Sequence, residues 1–212
     1  MNLALTRRVV FAVLMVGVAL GVAPARAAEE GPDALVKRLS VDVLETIKND
    51  KAIQAGDTTR VMALVDEKII PNLNFQRMTS SAVGRNWRQA TPEQQKRLQE
   101  EFKTLLIRTY SGALAQVKDQ SIVMKPLRAA PEDTEVVVRT EVRGKGDPIQ
   151  LDYRLEKSAA PATGWKIYDL NVLGVWLVET YRSQFAQEIS AKGIDGLIAT
   201  LAERNKANAK KS

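Results

Sequence analysis

The chain has neither cysteine nor histidine in its 212 residues. Without cysteine there is no disulfide, so the fold must be held by its core alone. Cysteine nucleophiles, Ser-His-Asp triads, histidine general bases and the usual zinc sites are excluded together. Only carboxylates, lysine, tyrosine, serine and threonine remain for any catalytic work. No phosphate-binding motif is present either. Gly144-Lys145-Gly146 is too short for a phosphate loop and reads as a hairpin turn. The acids Glu132, Asp133 and Glu135 read as a solvated loop before a strand.

The chain also lacks a charge surplus once its ends are set aside. Lysine and arginine number 31 against 25 acids, but three arginines fall in the first 27 residues, where there are no acids. Four more cations, Arg204, Lys206, Lys210 and Lys211, follow Glu203. The body between is left with 24 cations against 25 acids. Nucleic-acid binding calls for a basic face on the body, and the composition supplies none. The basic tail reads as a frayed, solvated end, with at most a weak attraction to anionic membrane surfaces.

One apolar run stands out. Arg7 and Arg8 precede the stretch from Val9 to Val22, and Ala25-Arg26-Ala27 offers an A-x-A cleavage site. This is the pattern of a secretory signal peptide over residues 1–27. The run is short for a membrane span of roughly 20 residues, which weighs against an anchor. The mature chain is therefore expected to be soluble and exported. It has about 185 residues, enough for one domain with a real core.

The rest of the chain is best read outward from Thr163–Phe185. Trp165, Ile167, Tyr168, Leu170 and Val172 suggest a strand that breaks at Gly174. A helix follows, with Val178, Tyr181 and Phe185 on one face. Such a corner can wall a cavity or simply close a core. Upstream, Asp33 is placed to cap a helix with Leu35, Leu39, Val43 and Ile47 at every fourth position. Gly56-Asp57 marks a turn, and a second helix points Val61, Leu64 and Val65 inward before Pro71. Leu73, Phe75 and Met78 lead into a short helix with Val83, Gly84 and Trp87. Thr91-Pro92-Glu93-Gln94 is a capping box with proline at the first helical position. It opens a long helix carrying Leu98, Phe102, Leu105, Leu106 and Tyr110.

After Lys118 the apolar period falls to two. Ile122–Met124, Val136–Arg143 and Ile149–Glu156 read as antiparallel strands with one buried face, and the stretch from Trp165 is the fourth. Two helices close the chain, one from about Val175 to Ala191 and one carrying Ile194, Leu197, Ile198 and Leu201. The order specifies an α+β fold, with a four-stranded antiparallel curved sheet and helices packed around it. Asp169 and Asn171 interrupt the apolar run of the fourth strand, and a buried aspartate needs partners. Trp87, Tyr110, Tyr153, Trp176 and Tyr181 each have an apolar body and a polar tip, which suits a cavity wall or an ordinary core.

Several blocks, in order, resemble the MlaC family of periplasmic phospholipid-binding proteins, also called toluene-tolerance proteins. These are Leu73-Asn74-Phe75 with Met78, Val83-Gly84-Arg85-Asn86-Trp87 through Gln94, and Phe102-Lys103-Thr104-Leu105-Leu106 with Tyr110. Gly164-Trp165-Lys166-Ile167-Tyr168-Asp169 through Gly174-Val175 follows, then Tyr181-Arg182-Ser183-Gln184-Phe185 and Gly193-Ile194-Asp195-Gly196-Leu197-Ile198. Asn74, Leu173 and Trp176 depart from the family pattern. The resemblance implies a single domain over residues 28–205, NTF2-like in outline, enclosing an apolar lipid cavity, with a basic disordered tail at 206–212.

By resemblance, the protein is expected to be a periplasmic carrier with phospholipid as cargo, no cofactor, no metal and no enzymatic activity. Its expected partners are an outer-membrane lipoprotein-porin complex and an inner-membrane ABC transporter with an MCE domain. It would thereby maintain the lipid asymmetry of the outer membrane. A monomer that binds no nucleic acid is expected. The acyl chains are expected to meet Phe75, Met78, Tyr110, Val138, Leu151, Tyr153, Val172, Trp176, Leu177 and Tyr181, leaving the head group in solvent. Two other readings stand beside this one. A small cavity-bearing hydrolase or isomerase would use Asp169 with Tyr168 or Tyr153, and an adaptor would have a solid core.

Overall fold

The computed structural model describes residues 30–158 and 164–209. The expected signal peptide, the inner part of the loop before Gly164 and the last three residues lie outside them. Helix α1 (Pro32–Asn49) opens after Gly31, so Asp33 falls in the first turn instead of capping it. Proline at the first position has its φ preset for the helix and moves the start forward. Asp50 caps the short α2 (Lys51–Gln54), accepting from the backbone N–H groups of Ala52 and Ile53. Asp57 caps α3 (Thr58–Leu64) through Arg60 N–H. A π turn at Val65–Ile69 and a 3-10 turn at Ile70–Asn72 complete this arm.

Helix α4 (Phe75–Val83) is capped by Asn74, whose carbonyl accepts from Arg77 N–H at 2.9 Å. The Asn74 amide also donates to Glu156 at 2.6 Å, which ties the cap to the sheet. A 3-10 turn, Gly84–Gln89, leads to α5 (Pro92–Ala115). Both bonds of the capping box at Thr91 and Gln94 are formed. Thr91→Ala removes one of them and is expected to cost about 1 kcal/mol, read as a lower urea midpoint at unchanged slope.

The sheet is an antiparallel meander in the order β1-β2-β3-β4-β5. Its strands are β1 (Ser121–Met124), β2 (Glu135–Arg143), β3 (Ile149–Lys157), β4 (Trp165–Val172) and β5 (Val175–Trp176). The fifth strand is an addition to the four that the alternation predicts. Leu173 and Gly174 have φ of 52° and 88°, the left-handed pair that a two-residue hairpin demands. The chain therefore doubles back, and Val175 and Trp176 pair with Val172 and Asn171 before any helix begins.

Between β3 and β4 the register shifts: Arg154 faces Asp169, but Leu155 faces Ile167. Tyr168 is the extra residue of this bulge. The bulge reverses the phase of β4, so Trp165 and Ile167 share the inner face with Leu170 and Val172.

Helix α6 runs Leu177–Ala209 but is broken at Gly193 (φ 70°, ψ −176°), a conformation open to glycine. The two closing helices of the sequence reading are its two halves. The second half extends through Ala209, so residues 206–209 are helical where a tail is expected.

Among the described residues three apolar clusters hold the fold. The first joins α4, α5 and both halves of α6 around Phe102, which meets Phe75, Tyr181 and Phe185 at ring-centroid distances of 5.9, 4.9 and 5.2 Å. The second fixes α1 to the sheet through Leu35, Val36, Leu39, Val136, Val138 and Leu155. The third packs Ile47, Ile53, Val61 and Leu64 against Ile107 of α5 and Val117 just beyond its end.

Candidate functional site

Where the three clusters meet, the side chains do not close on one another. They leave a cavity of about 290 Å³ between the inner face of the sheet and the helices. The sheet supplies Leu151, Tyr153, Ile167 and Leu170. From α1 come Leu39, Ser40 and Val43. The arm after α2 adds Val61, Val65, Ile69 and Ile70. The far wall is Phe75, Met78, Leu106, Ile107, Tyr110, Leu114 and Leu177.

The wall is almost wholly apolar, and Ser40, Tyr153 and Lys103 on it have partners. The Tyr153 hydroxyl lies 3.3 Å from Ser40 Oγ, and burial pushes its pKa up, so it stays protonated. Lys103 lines the cavity with its stem and sends its ammonium out to Asp66, 2.8 Å away.

A second cavity of about 300 Å³ lies across Tyr110 and Leu177, which line both. Its other walls are Leu105, Val172, Val175 and Tyr181, with Thr109, Thr180, Gln184 and Arg204. Burial raises the pKa values of Tyr110 and Tyr181, leaving both hydroxyls as donors at neutral pH.

Six of the ten sequence-derived candidates border the first cavity: Phe75, Met78, Tyr110, Leu151, Tyr153 and Leu177. Val172 and Tyr181 border the second. Val138 borders neither; it is buried in the cluster that joins the sheet to α1. Trp176 also borders neither. Its pairing within β5 puts the indole under Arg154, with the guanidinium carbon 3.9 Å from the ring centroid. The walls given by α1 and α3 fall outside the sequence-derived set. Their apolar stripes are visible in the sequence, but a stripe that fills a core and one that lines a hollow have the same spacing.

Asp169 serves neither cavity. Its pairing with Arg154 places it on the face of the sheet opposite Tyr153, because side chains alternate along a strand. It is 1% exposed. One carboxylate oxygen accepts from Leu170 N–H at 2.8 Å and from Val178 N–H at 3.1 Å, at the start of α6. The other accepts from Arg154 at 3.0 Å. Burial pushes its pKa up, against the pull of those three donors. Tyr168 donates its hydroxyl to Glu135 at 2.9 Å and carries Arg77 stacked on its ring. The acid–base set of Asp169 with Tyr168 or Tyr153 is therefore not assembled at a cavity; Asp169 anchors the start of a helix. Among the described residues no group of acids is placed to hold a metal. No described helix is long and apolar enough to cross a membrane.

Comparison with known proteins gives one consistent family. The family model described as "MlaC protein" matches residues 37–203. The toluene tolerance protein ttg2D of Pseudomonas putida is 25% identical over 169 residues, covering 79% of this chain and 77% of its own. The intermembrane phospholipid transport system binding protein MlaC of Haemophilus influenzae is 22% identical over 176 residues, covering 82% of each chain. Among solved structures, a phospholipid-binding protein from Ralstonia solanacearum, determined in complex with a phospholipid, is 52% identical. It aligns with a TM-score of 0.80 over 84% of this chain and 98% of its own.

Proposed function

Since the chain belongs to the MlaC family, we propose that it is a periplasmic phospholipid carrier whose acyl-chain seat is the apolar cavity under the sheet. The observation that carries this reading is the apolar cavity itself, in a chain 52% identical to a protein solved with a phospholipid bound. The family is one of phospholipid-binding transport proteins, not an enzyme class.

A phospholipid in water exposes on the order of 30 methylenes at roughly 0.8 kcal/mol each. Unaided passage through an aqueous compartment is therefore prohibitively slow, and a protein wall that replaces bilayer contacts removes most of the barrier. Bilayer and cavity are both apolar, so the net free energy of transfer is small and sets no direction. Direction comes from the partners: an outer-membrane lipoprotein-porin complex at one end and an inner-membrane MCE-domain ABC transporter at the other. In this reading, the exchange maintains the lipid asymmetry of the outer membrane.

The seat must widen to load. At roughly 30 Å³ per methylene, about the share of one water molecule, two acyl chains need on the order of three times the present volume. The helices over the sheet have to part for both chains to enter.

Solvent extraction of the purified protein followed by mass spectrometry tests the reading. Phospholipid at about one molecule per chain is the expected result. A protein that yields none, and takes none up from phospholipid vesicles, overturns it.

A further inference from the structure

The second cavity differs from the first in chemistry, and the two are arranged in series. Crossing the partition of Tyr110 and Leu177, the wall changes from apolar to mixed. Tyr110, Tyr181, Thr109 and Thr180 border it, with Arg204 above them on the second half of α6. The Thr109 and Thr180 hydroxyls donate to the backbone carbonyls of Leu105 and Trp176, so the donors that can turn to a ligand are Arg204, Tyr110 and Tyr181, the last now bonded to Thr109. Among the described residues no carboxylate borders this cavity. The Arg204 guanidinium reaches Gln184 Oε1 at 3.5 Å, and no carboxylate among the described residues pairs with it. Glu188, within electrostatic range, is taken up by Lys192 at 3.2 Å and by the Thr200 hydroxyl at 3.1 Å.

A forked cation beside hydroxyl donors, with no competing anion, is the donor set that a phosphate diester accepts from. The order from apolar box to partition to cationic mouth is also the order of tail, glycerol and phosphate along a phospholipid.

Resting on the carrier reading above, we propose that the second cavity is a phosphate subsite. There Arg204, with the Tyr181 and Tyr110 hydroxyls, holds the lipid phosphate at the mouth between α5 and the two halves of α6. This revises the expectation that the head group needs no polar site. The contact is to the phosphate, which all phospholipids share, and not to the group esterified beyond it. The subsite therefore admits phosphatidylethanolamine and phosphatidylglycerol alike and rejects a neutral diacylglycerol with the same chains.

The test loads the full mature protein from vesicles of phosphatidylglycerol, phosphatidylethanolamine and diacylglycerol in equal parts, and the bound lipids are counted by mass spectrometry. The unaltered protein is expected to take both phospholipids over diacylglycerol by about tenfold or more. Arg204→Gln is expected to lose most of that preference while still loading lipid, and Arg204→Lys to keep part of it. Arg204 is exposed, so the fold tolerates both changes. Arg204→Gln with an unchanged preference overturns the subsite and leaves the carrier reading standing. No uptake of any of the three lipids by the unaltered protein overturns both.

Discussion

Leu151→Trp is expected to empty the protein of lipid while leaving it folded. Leu151 is half-buried on the inner face of β3, opposite Val172, and borders the apolar cavity. An indole there extends into the hollow, where open volume receives most of its added atoms. Overpacking of a filled core costs about 1–3 kcal/mol, and an existing cavity lowers that figure. Co-purified phospholipid should drop at least tenfold, with a far-ultraviolet circular dichroism spectrum like that of the unaltered protein. The control is Val138→Ile, inside the neighbouring cluster but away from the cavity, which should leave lipid content unchanged. Equal lipid in Leu151→Trp and the unaltered protein would place the acyl chains elsewhere.

The largest stability effect is expected at Asp169. Asp169→Ala leaves the N–H groups of Leu170 and Val178 without their acceptor and Arg154 without its buried partner. Breaking one side of a buried pair costs about 3–5 kcal/mol, a large share of the 5–15 kcal/mol that holds a domain together. Asp169→Asn keeps an oxygen for both N–H groups and should cost about 1–2 kcal/mol, the loss of one charge-assisted bond.

The two forms should also differ in pH dependence. Burial holds the Asp169 pKa above its ordinary value, so between those two values the folded state binds more protons than the unfolded one. Stability from this group is then fully present below the ordinary carboxylate pKa of about 3.9 and declines as pH rises through the raised value. Relative to Asp169→Asn, the unaltered protein should gain stability as pH falls toward 4. Urea titrations at pH 4, 5.5 and 7 measure this, and a difference that grows with pH contradicts it. Asp169→Asn should still carry lipid. Intact transport in that variant removes the hydrolase or isomerase reading.

Much of this architecture is legible in the residues. Thr91-Pro92-Glu93-Gln94 specifies a helix start through local chemistry alone, and both bonds form. The alternations Val136–Arg143 and Ile149–Glu156 specify two paired strands and the face each buries.

What stays hidden has physical reasons. In β4 the inward residues step from Ile167 to Leu170, a skip of three. That skip marks the Tyr168 bulge, but a short apolar run tolerates such a step without revealing which residue is extra. β5 is two residues long and has no period to detect. Val138 and Leu151 both face inward, yet one meets α1 and the other the cavity. Which helix covers which stretch of sheet is decided by tertiary packing, and strand periodicity carries no information about it. Arg204 reads from sequence as part of a solvated basic end, because nothing local says that the helix folds back at Gly193 to bring it over Tyr181.

The apolar cavity sits where three separately packed clusters abut, not inside any one of them. Such a seam behaves like a grain boundary in a polycrystal: the grains can shift along it with their own lattices intact. Swelling to admit two hydrocarbon chains therefore need not unstack Phe102 from Phe185 or part Leu35 from Leu155; α1 and α5, which each run through two clusters, tilt as levers, and only the faces between the clusters part. A molecule divided this way can breathe at its seam while every block stays rigid, so that loading and unloading draw on slippage and leave the melting of the blocks out of the cycle.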